Sequence, residues 1–255
     1  RSLIYVESSY VDFSNLEIKD NSYGFFMKES SGSITDSDIN VKCSGIDTNS
    51  HKVTGTINHT LVINDNTITT ADGSGITAYD GAIVVAERNT ISGAASGSGF
   101  GIRSSTVTAN NNVIGPIGGW NGLWIYGTSD VVAENNTIQD TAKEAVLIGG
   151  YHYLDQGGNV PTPTASRLYL ANNQISNNTG TCNSQMYDGD FQCPAIHVFM
   201  SSATLYDNTV TNNGGDGMRI KASIVNAQRN TIEVSGFAAN VSLFDDNYGN
   251  KYGSI

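Results

Sequence analysis

The stretch Val62-Ile-Asn-Asp-Asn-Thr-Ile68 sets apolar residues before a polar pair, then Asn66, one further residue, and isoleucine. The same order returns at Asn89, Asn112, Asn136, Asn173, Asn208 and Asn230, each followed two residues later by Ile or Val. Two earlier copies carry serine in the slot: Ser14, with Leu16 after it, and Ser37, with Ile39. Subtracting consecutive slots gives 23, 29, 23, 23, 24, 37, 35 and 22, so a unit of 22 to 24 residues recurs with three insertions. Self-similarity at such a period is the mark of a solenoid.

A second element runs in phase with the first: a small residue, an apolar one, any residue, an apolar one. It reads Gly24-Phe-Phe-Met27, Gly45-Ile-Asp-Thr48, Gly75-Ile-Thr-Ala78, Gly101-Ile-Arg-Ser104, Gly122-Leu-Trp-Ile125, Ala145-Val-Leu-Ile148, Ala195-Ile-His-Val198 and Gly217-Met-Arg-Ile220, with Ala238-Ala-Asn-Val241 a weaker ninth. Alternation over four to six residues, broken by turn formers, specifies short strands and leaves no room for helical periodicity. Nine coils stacked at the sheet spacing would extend about 43 Å, with the alternate apolar residues forming internal ladders. Asparagine suits the turn slot because it tolerates left-handed backbone and its amide can bond to its copy one coil away. The expectation is an all-β chain: a right-handed parallel β-helix solenoid of about nine coils with two long loop insertions, in one domain over residues 1–255.

Composition agrees with that reading. Charged residues make up 15% of the chain and hydrophobic ones 38%, with 28 glycines and only four prolines, a mix suited to a turn-rich β protein. The net charge of −11 disfavours nucleic acid and anionic membrane as partners. No apolar run is long enough to span a bilayer, and no signal peptide is visible. Because Arg1 already opens what reads as a strand, Leu3-Ile-Tyr-Val6, the chain is expected to be cut from a larger protein, as a monomer or as part of a multidomain chain. Cys182 and Cys193 lie eleven positions apart in one polar excursion, a separation that a disulfide could close; two free thiols are the alternative. Cys43 falls in the apolar rhythm and is expected to be buried.

The Asn-x-Ile and Gly-Ile-x-Ile alternation resembles the parallel β-helix repeats of the pectate-lyase-like superfamily across essentially the whole chain. The resemblance implies the fold, and a membership that includes polysaccharide lyases, hydrolases, epimerases and non-catalytic surface proteins. Gly217-Met-Arg-Ile-Lys221 is similar to the Gly-x-Arg-Ile-Lys segment of polygalacturonases, but the repeat itself accounts for all of it except Arg219 and Lys221. That family's upstream carboxylate motifs are missing, and Asp245-Asp246 follows the match instead of preceding it. Nor is there the Asp-Pro-His-Asp segment of the superfamily's alginate epimerases; Tyr151-His-Tyr-Leu-Asp155 has the residue types in another order. Asp188 and Asp190, like Asp245-Asp246-Asn247, could offer calcium two or three oxygens, although loop acids are usually only solvated. The four histidines form no metal-ligand pattern. No cofactor is expected apart from this possible calcium. Four Asn-x-Ser/Thr triplets start at Asn58, Asn135, Asn177 and Asn240, and the one at Asn135 belongs to the repeat.

In the second element the apolar positions must point inward, which sends the intervening residues to the outer face of one sheet. Coil by coil these are Phe26 and Lys28, Asp47 and Asn49, Thr77 and Tyr79, Arg103 and Ser105, Trp124 and Tyr126, Leu147 and Gly149, His197 and Phe199, Arg219 and Lys221. The face gathers aromatic and basic side chains where the fold asks only for polarity. Two insertions, 149–165 and 177–193, flank it and could wall a groove. Aromatic rings stack on the apolar faces of sugars, while charged groups bond to hydroxyls or carboxylates.

The expected substrate contacts are therefore Tyr79, Arg103, Trp124, Tyr126, His152, Tyr153, His197, Phe199, Arg219 and Lys221. For chemistry the candidates are His197 or Lys221 as base, Arg219 and Arg103 as carboxylate neutralisers, and Tyr153 or Tyr126 as acid. Three readings remain open: a secreted or cell-surface module whose aromatic and basic groove binds polysaccharide; a lyase or epimerase acting on a uronate-containing glycan; and a structural spacer, whose outward aromatics merely stack coil on coil.

Overall fold

The computed structural model describes residues 2–50, 59–149, 166–178, 193–221, 223–234 and 241–244, with 2, 3, 234 and 241–244 by backbone alone. Among these residues every regular element is a strand, and the strands form three parallel sheets. The first sheet has ten strands, from Ser2–Glu7 to Val241–Phe244. The second has nine, from Tyr10–Ser14 to Ile224–Gln228, and the third nine, from Glu17–Asn21 to Thr231–Val234. The chain visits the sheets in strict rotation, each strand pairing with those one coil before and after, which is a right-handed parallel β-helix of nine three-strand coils plus a tenth strand. Membrane crossing by helix has no candidate here: no described helix is long and apolar enough.

Columns of buried side chains on the inner faces of all three sheets form the core. On the third sheet Ile39, Ile68, Ile91, Ile114 and Ile138 stack in register, one per coil. Because a parallel coil turns every strand toward the same interior, alternation in sequence becomes a continuous apolar column in space.

The asparagine slot is a buried hydrogen-bonded ladder. From Asn66 through Asn89, Asn112, Asn136, Asn173 and Asn208 to Asn230, each Nδ2 donates to the Oδ1 of its copy in the next coil at 2.9 to 3.0 Å. The same Oδ1 also accepts the backbone N–H of the slot one coil earlier, as in Asn112 to Asn136 at 2.8 Å.

Two details of the sequence reading are corrected. The first copy of the slot is Leu16, whose N–H bonds to Ser37 Oγ, and not Ser14; the first spacing is therefore 21. The left-handed residue is also not the ladder asparagine but the one before it, with φ of 50 to 60° at Asn15, Asp36, Asp65, Arg88, Asn111, Asn135, Asn172, Asp207 and Arg229. Asn and Asp hold seven of these places, as expected for left-handed backbone. The two arginines hold theirs through fork-like pairs to the aspartate of the preceding coil, Arg88 to Asp65 at 2.7 Å for both bonds and Arg229 to Asp207 at 2.8 and 2.6 Å.

A second ladder, which the sequence reading missed, lies at the corner between the first and second sheets. The residue before each strand of the second sheet is Ser9, Ser30, His59, Ala82, Ser105, Ser129, Ser166, Ser201 or Ser223. Four times a serine Oγ accepts the N–H of its copy one coil earlier: Ser30 from Ser9, Ser129 from Ser105, Ser166 from Ser129, and Ser223 from Ser201, at 3.2 to 3.4 Å. Ser30, Ser105 and Ser223 donate in turn to the carbonyls of Lys28, Arg103 and Lys221.

Candidate functional site

Register fixes two outward rows on the first sheet. One runs through Asp47, Thr77, Gly101, Trp124, Leu147, His197 and Arg219; the other runs through Asn49, Tyr79, Arg103, Tyr126, Gly149, Phe199 and Lys221. Phe100 pairs with Ile76 and Leu123, so the small residue of that coil is Gly99 and the outward pair is Gly101 and Arg103. Ser105 leaves this face and is a rung of the serine ladder.

The rows do not form one open basic groove. Toward the C-terminal coils the face is closed: Tyr126, Leu147, His197, Phe199 and Arg219 are all buried, His197 at 3% exposure and Arg219 at 4%. A buried charge must be paired to be tolerated. Arg219 pairs with Asp216 at 2.7 Å, and His197 Nδ1 lies 3.7 Å from Oε1 of Glu144, itself 1% exposed, whose other oxygen accepts Asn121 Nδ2 at 2.8 Å. Glu144 was not singled out in the sequence. Its signal was a carboxylate directly before the small residue Ala145, where other coils carry Ser74, Ser98 and Asn121 and only Asp216, before Gly217, is its like. Arg103 is likewise neutralised, by two bonds to Asp80 at 3.1 and 2.6 Å.

The open part of the face lies over the middle coils. Trp120, which the sequence reading passed over, is 38% exposed and packs on Trp124 with ring centroids 4.9 Å apart; Trp124 stacks on Tyr126 at 4.5 Å. Lys143 Nζ stands 4.4 Å from the centre of the Trp120 ring, a cation–π contact. One coil back the Arg103 guanidinium lies 4.7 Å over the Tyr79 ring, and Tyr79 hydrogen-bonds to Tyr126. Tyr79 reaches there because Gly101 has no side chain; a Cβ on Gly101 would sit 3.2 Å from the Tyr79 hydroxyl. Burial raises the Tyr79 phenol above its ordinary value. Beyond Asp80, at the corner with the second sheet, opens a groove of about 670 Å³. Its walls carry hydroxyls of Ser104, Thr106 and Thr128 and the carboxylates of Asp80 and Asp130.

At the near edge of the face Asp47 accepts a hydrogen bond from Thr77 Oγ1 at 2.7 Å. Burial pushes its carboxyl above the usual range, opposed in part by the hydrogen bonds from Thr77 and Ser44.

Of the predicted contacts, then, Tyr79, Arg103, Trp124 and Tyr126 come together, while His197, Phe199 and Arg219 group separately and are buried; Lys221 is half-buried beside them, its Nζ 5.8 Å from the Phe199 ring centre. His152, Tyr153, Asp188, Asp190 and Cys182 lie outside the described residues, as do Asp245 and Asp246. Cys193 is buried, and Cys43 is a half-buried free thiol. Among the described residues no three His, Cys, Asp or Glu side chains cluster as metal ligands.

Comparison with known proteins agrees with this architecture. No curated protein matches the chain. A solved structure, the A-module of the mannuronan C-5 epimerase AlgE4 from Azotobacter vinelandii, superposes with a TM-score of 0.54 over 97% of this chain and 76% of that one, at 13% identity. At that identity the likeness establishes the fold alone. The family described as "Right handed beta helix region" matches residues 54–220 and 103–250, most of the chain. The chain belongs to the right-handed β-helix family.

Proposed function

We propose that this chain is a polysaccharide-binding β-helix module of the cell exterior, holding its glycan on the middle coils of the first sheet. The observation that carries this is the ring stack of exposed Trp120 on half-buried Trp124 and buried Tyr126, continued through Tyr79 and Arg103 to the hydroxyl-lined groove beside Asp80. Flat aromatic surface takes the apolar face of a sugar ring, and convergent hydroxyls and carboxylates take its hydroxyl groups. A structural neighbour is named for action on a polysaccharide, mannuronan, which is consistent with this reading. A disulfide between Cys182 and Cys193, if formed, would suit an oxidising exterior.

The test is a glycan array, with and without calcium, using the parent chain and Trp120→Ala. Retention of a polymer that is weakened in the variant supports the reading; no retention of any polymer sinks it and leaves a structural spacer.

A second reading rests on the buried Glu144–His197 pair. A carboxylate beside an imidazole is the arrangement that orients a general base, and in this reading Arg219, in register next to His197, would exchange its Asp216 partner for a uronate carboxylate. Incubation with pectate, alginate and glycosaminoglycans, following the absorbance of unsaturated product and the epimer ratio by NMR, tests it; a silent result for all three removes it.

A further inference from the structure

We infer that the corner between the first and second sheets holds one structural water molecule in place of a missing rung of the serine ladder. The ladder has serine in seven of nine coils and is broken at two adjacent places, His59 and Ala82. At the break lies a cavity of about 10 Å³, lined by Thr48, Asn49, His59 and Ala82 together with apolar atoms of Met27 and Leu61. This is the least space that accommodates a single water.

The chemistry of the lining fits water. Three buried polar atoms around the cavity have no hydrogen-bond partner: Thr48 Oγ1, Asn49 Oδ1 and His59 Nδ1. Buried polar atoms without partners are costly, and a water at the cavity would offer a partner to those within its reach. Asn49 Oδ1 can only accept, the Thr48 hydroxyl can do either, and His59 Nδ1 does one or the other according to its tautomer. A water supplies two donors and two acceptors and so satisfies any of these combinations. No carboxylate lines the cavity, so nothing there offsets the charge of a cation.

The location gives this water a role. In intact coils the serine hydroxyl ties a backbone N–H to a carbonyl across adjacent coils, as Ser30 Oγ joins the Ser9 N–H to the Lys28 carbonyl. Asn49 and His59 flank the first of the three insertions in the spacing of the repeat. A water between Asn49 and His59 fastens the two ends of that insertion to each other, which a serine at position 82 would do only in part.

The test is an atomic-resolution crystal structure of the parent and of Ala82→Ser, with the count of long-lived waters in solution taken by oxygen-17 relaxation dispersion. The parent is expected to show one fully occupied water within hydrogen-bond distance of Thr48, Asn49 and His59. In Ala82→Ser the new hydroxyl takes that place, the count falls by one, and the melting temperature does not fall. Thr48→Val, which keeps the shape and removes one partner, is expected to lower the occupancy and the melting temperature. A dry cavity, a cation in the site, or a water that persists unmoved in Ala82→Ser overturns the inference.

Discussion

Asn136 Oδ1 accepts two hydrogen bonds from Asn112 at once, from the side-chain amide at 3.0 Å and from the backbone N–H at 2.8 Å, and both residues are 1% exposed. Asn136 also donates onward to Ala109 O at 2.8 Å and Asn173 Oδ1 at 2.9 Å. Replacing it by leucine strands donors and acceptors on both sides and inserts branched carbon where a flat amide fitted. Since each buried unsatisfied group costs about 1 to 3 kcal/mol, Asn136→Leu is expected to lose about 3 kcal/mol or more. Urea unfolding measures it, and an unchanged midpoint would show that the ladder contributes nothing.

The exposed Trp120 is a cleaner probe of binding than Trp124, because it is the more peripheral ring of the stack. Trp120→Ala is expected to weaken the affinity for the retained polymer about tenfold, roughly 1.4 kcal/mol, with a small effect on unfolding. Affinity electrophoresis against the array hit gives the first quantity and thermal melting the second.

The solenoid was legible because its two constraints leave marks at fixed positions: asparagine fills the ladder slot from Asn66 to Asn230, and the inward columns are almost entirely apolar. Errors of register came in steps of two. Ser14 stands two residues before the slot that Leu16 fills, and Gly101 two residues after the small residue Gly99. A two-residue slip preserves the alternation of faces, so Arg103 was still placed outward while Ser105 was misplaced. The serine ladder escaped notice because serine is common throughout this chain, and the mark was its position before each strand of the second sheet. What could not be read was the closure of the face at His197 and Arg219, since burial there depends on long-range packing and not on the repeat.

Asp47 gives a prediction in pH. Its carboxyl is raised by burial above the value of about 3.9 it has in an unfolded chain. Between those two values the folded state holds the proton more tightly, so stability falls as pH rises through the window and stays lower above it. Asp47→Asn keeps an acceptor for Thr77 and removes the charge. The variant is expected to be more stable than the parent at neutral pH, with the advantage shrinking to nothing below about pH 4. Paired unfolding curves across that range decide it; an advantage independent of pH would assign the effect to something other than ionisation.

The chain has three cysteines, of which Cys43 is a free thiol. If Cys182 and Cys193 are bridged, as the spacing suggests, maleimide labelling of the denatured, unreduced protein modifies one cysteine, and after reduction three. Three modified cysteines without reductant would remove the bridge. The reduced form is expected to lose about 2 to 4 kcal/mol of stability.

Gly101 separates the demands of the fold from those of the proposed site. Its outward position makes no contact closer than the Tyr79 hydroxyl, 3.2 Å from where a Cβ would stand, with Ser74 Oγ and Thr77 Cγ2 next at 3.7 Å. The hydroxyl is the far end of a side chain, so the fold can yield there at little cost. Gly101→Val would displace it, break its hydrogen bond to Tyr126 and draw the Tyr79 ring from beneath the Arg103 guanidinium. The melting temperature is then expected to change little, valine being well suited to a strand, while affinity for the polymer falls several-fold. A loss of affinity without a loss of stability locates the glycan on Tyr79 and Arg103. Full affinity in a well-folded Gly101→Val would confine binding to the tryptophans.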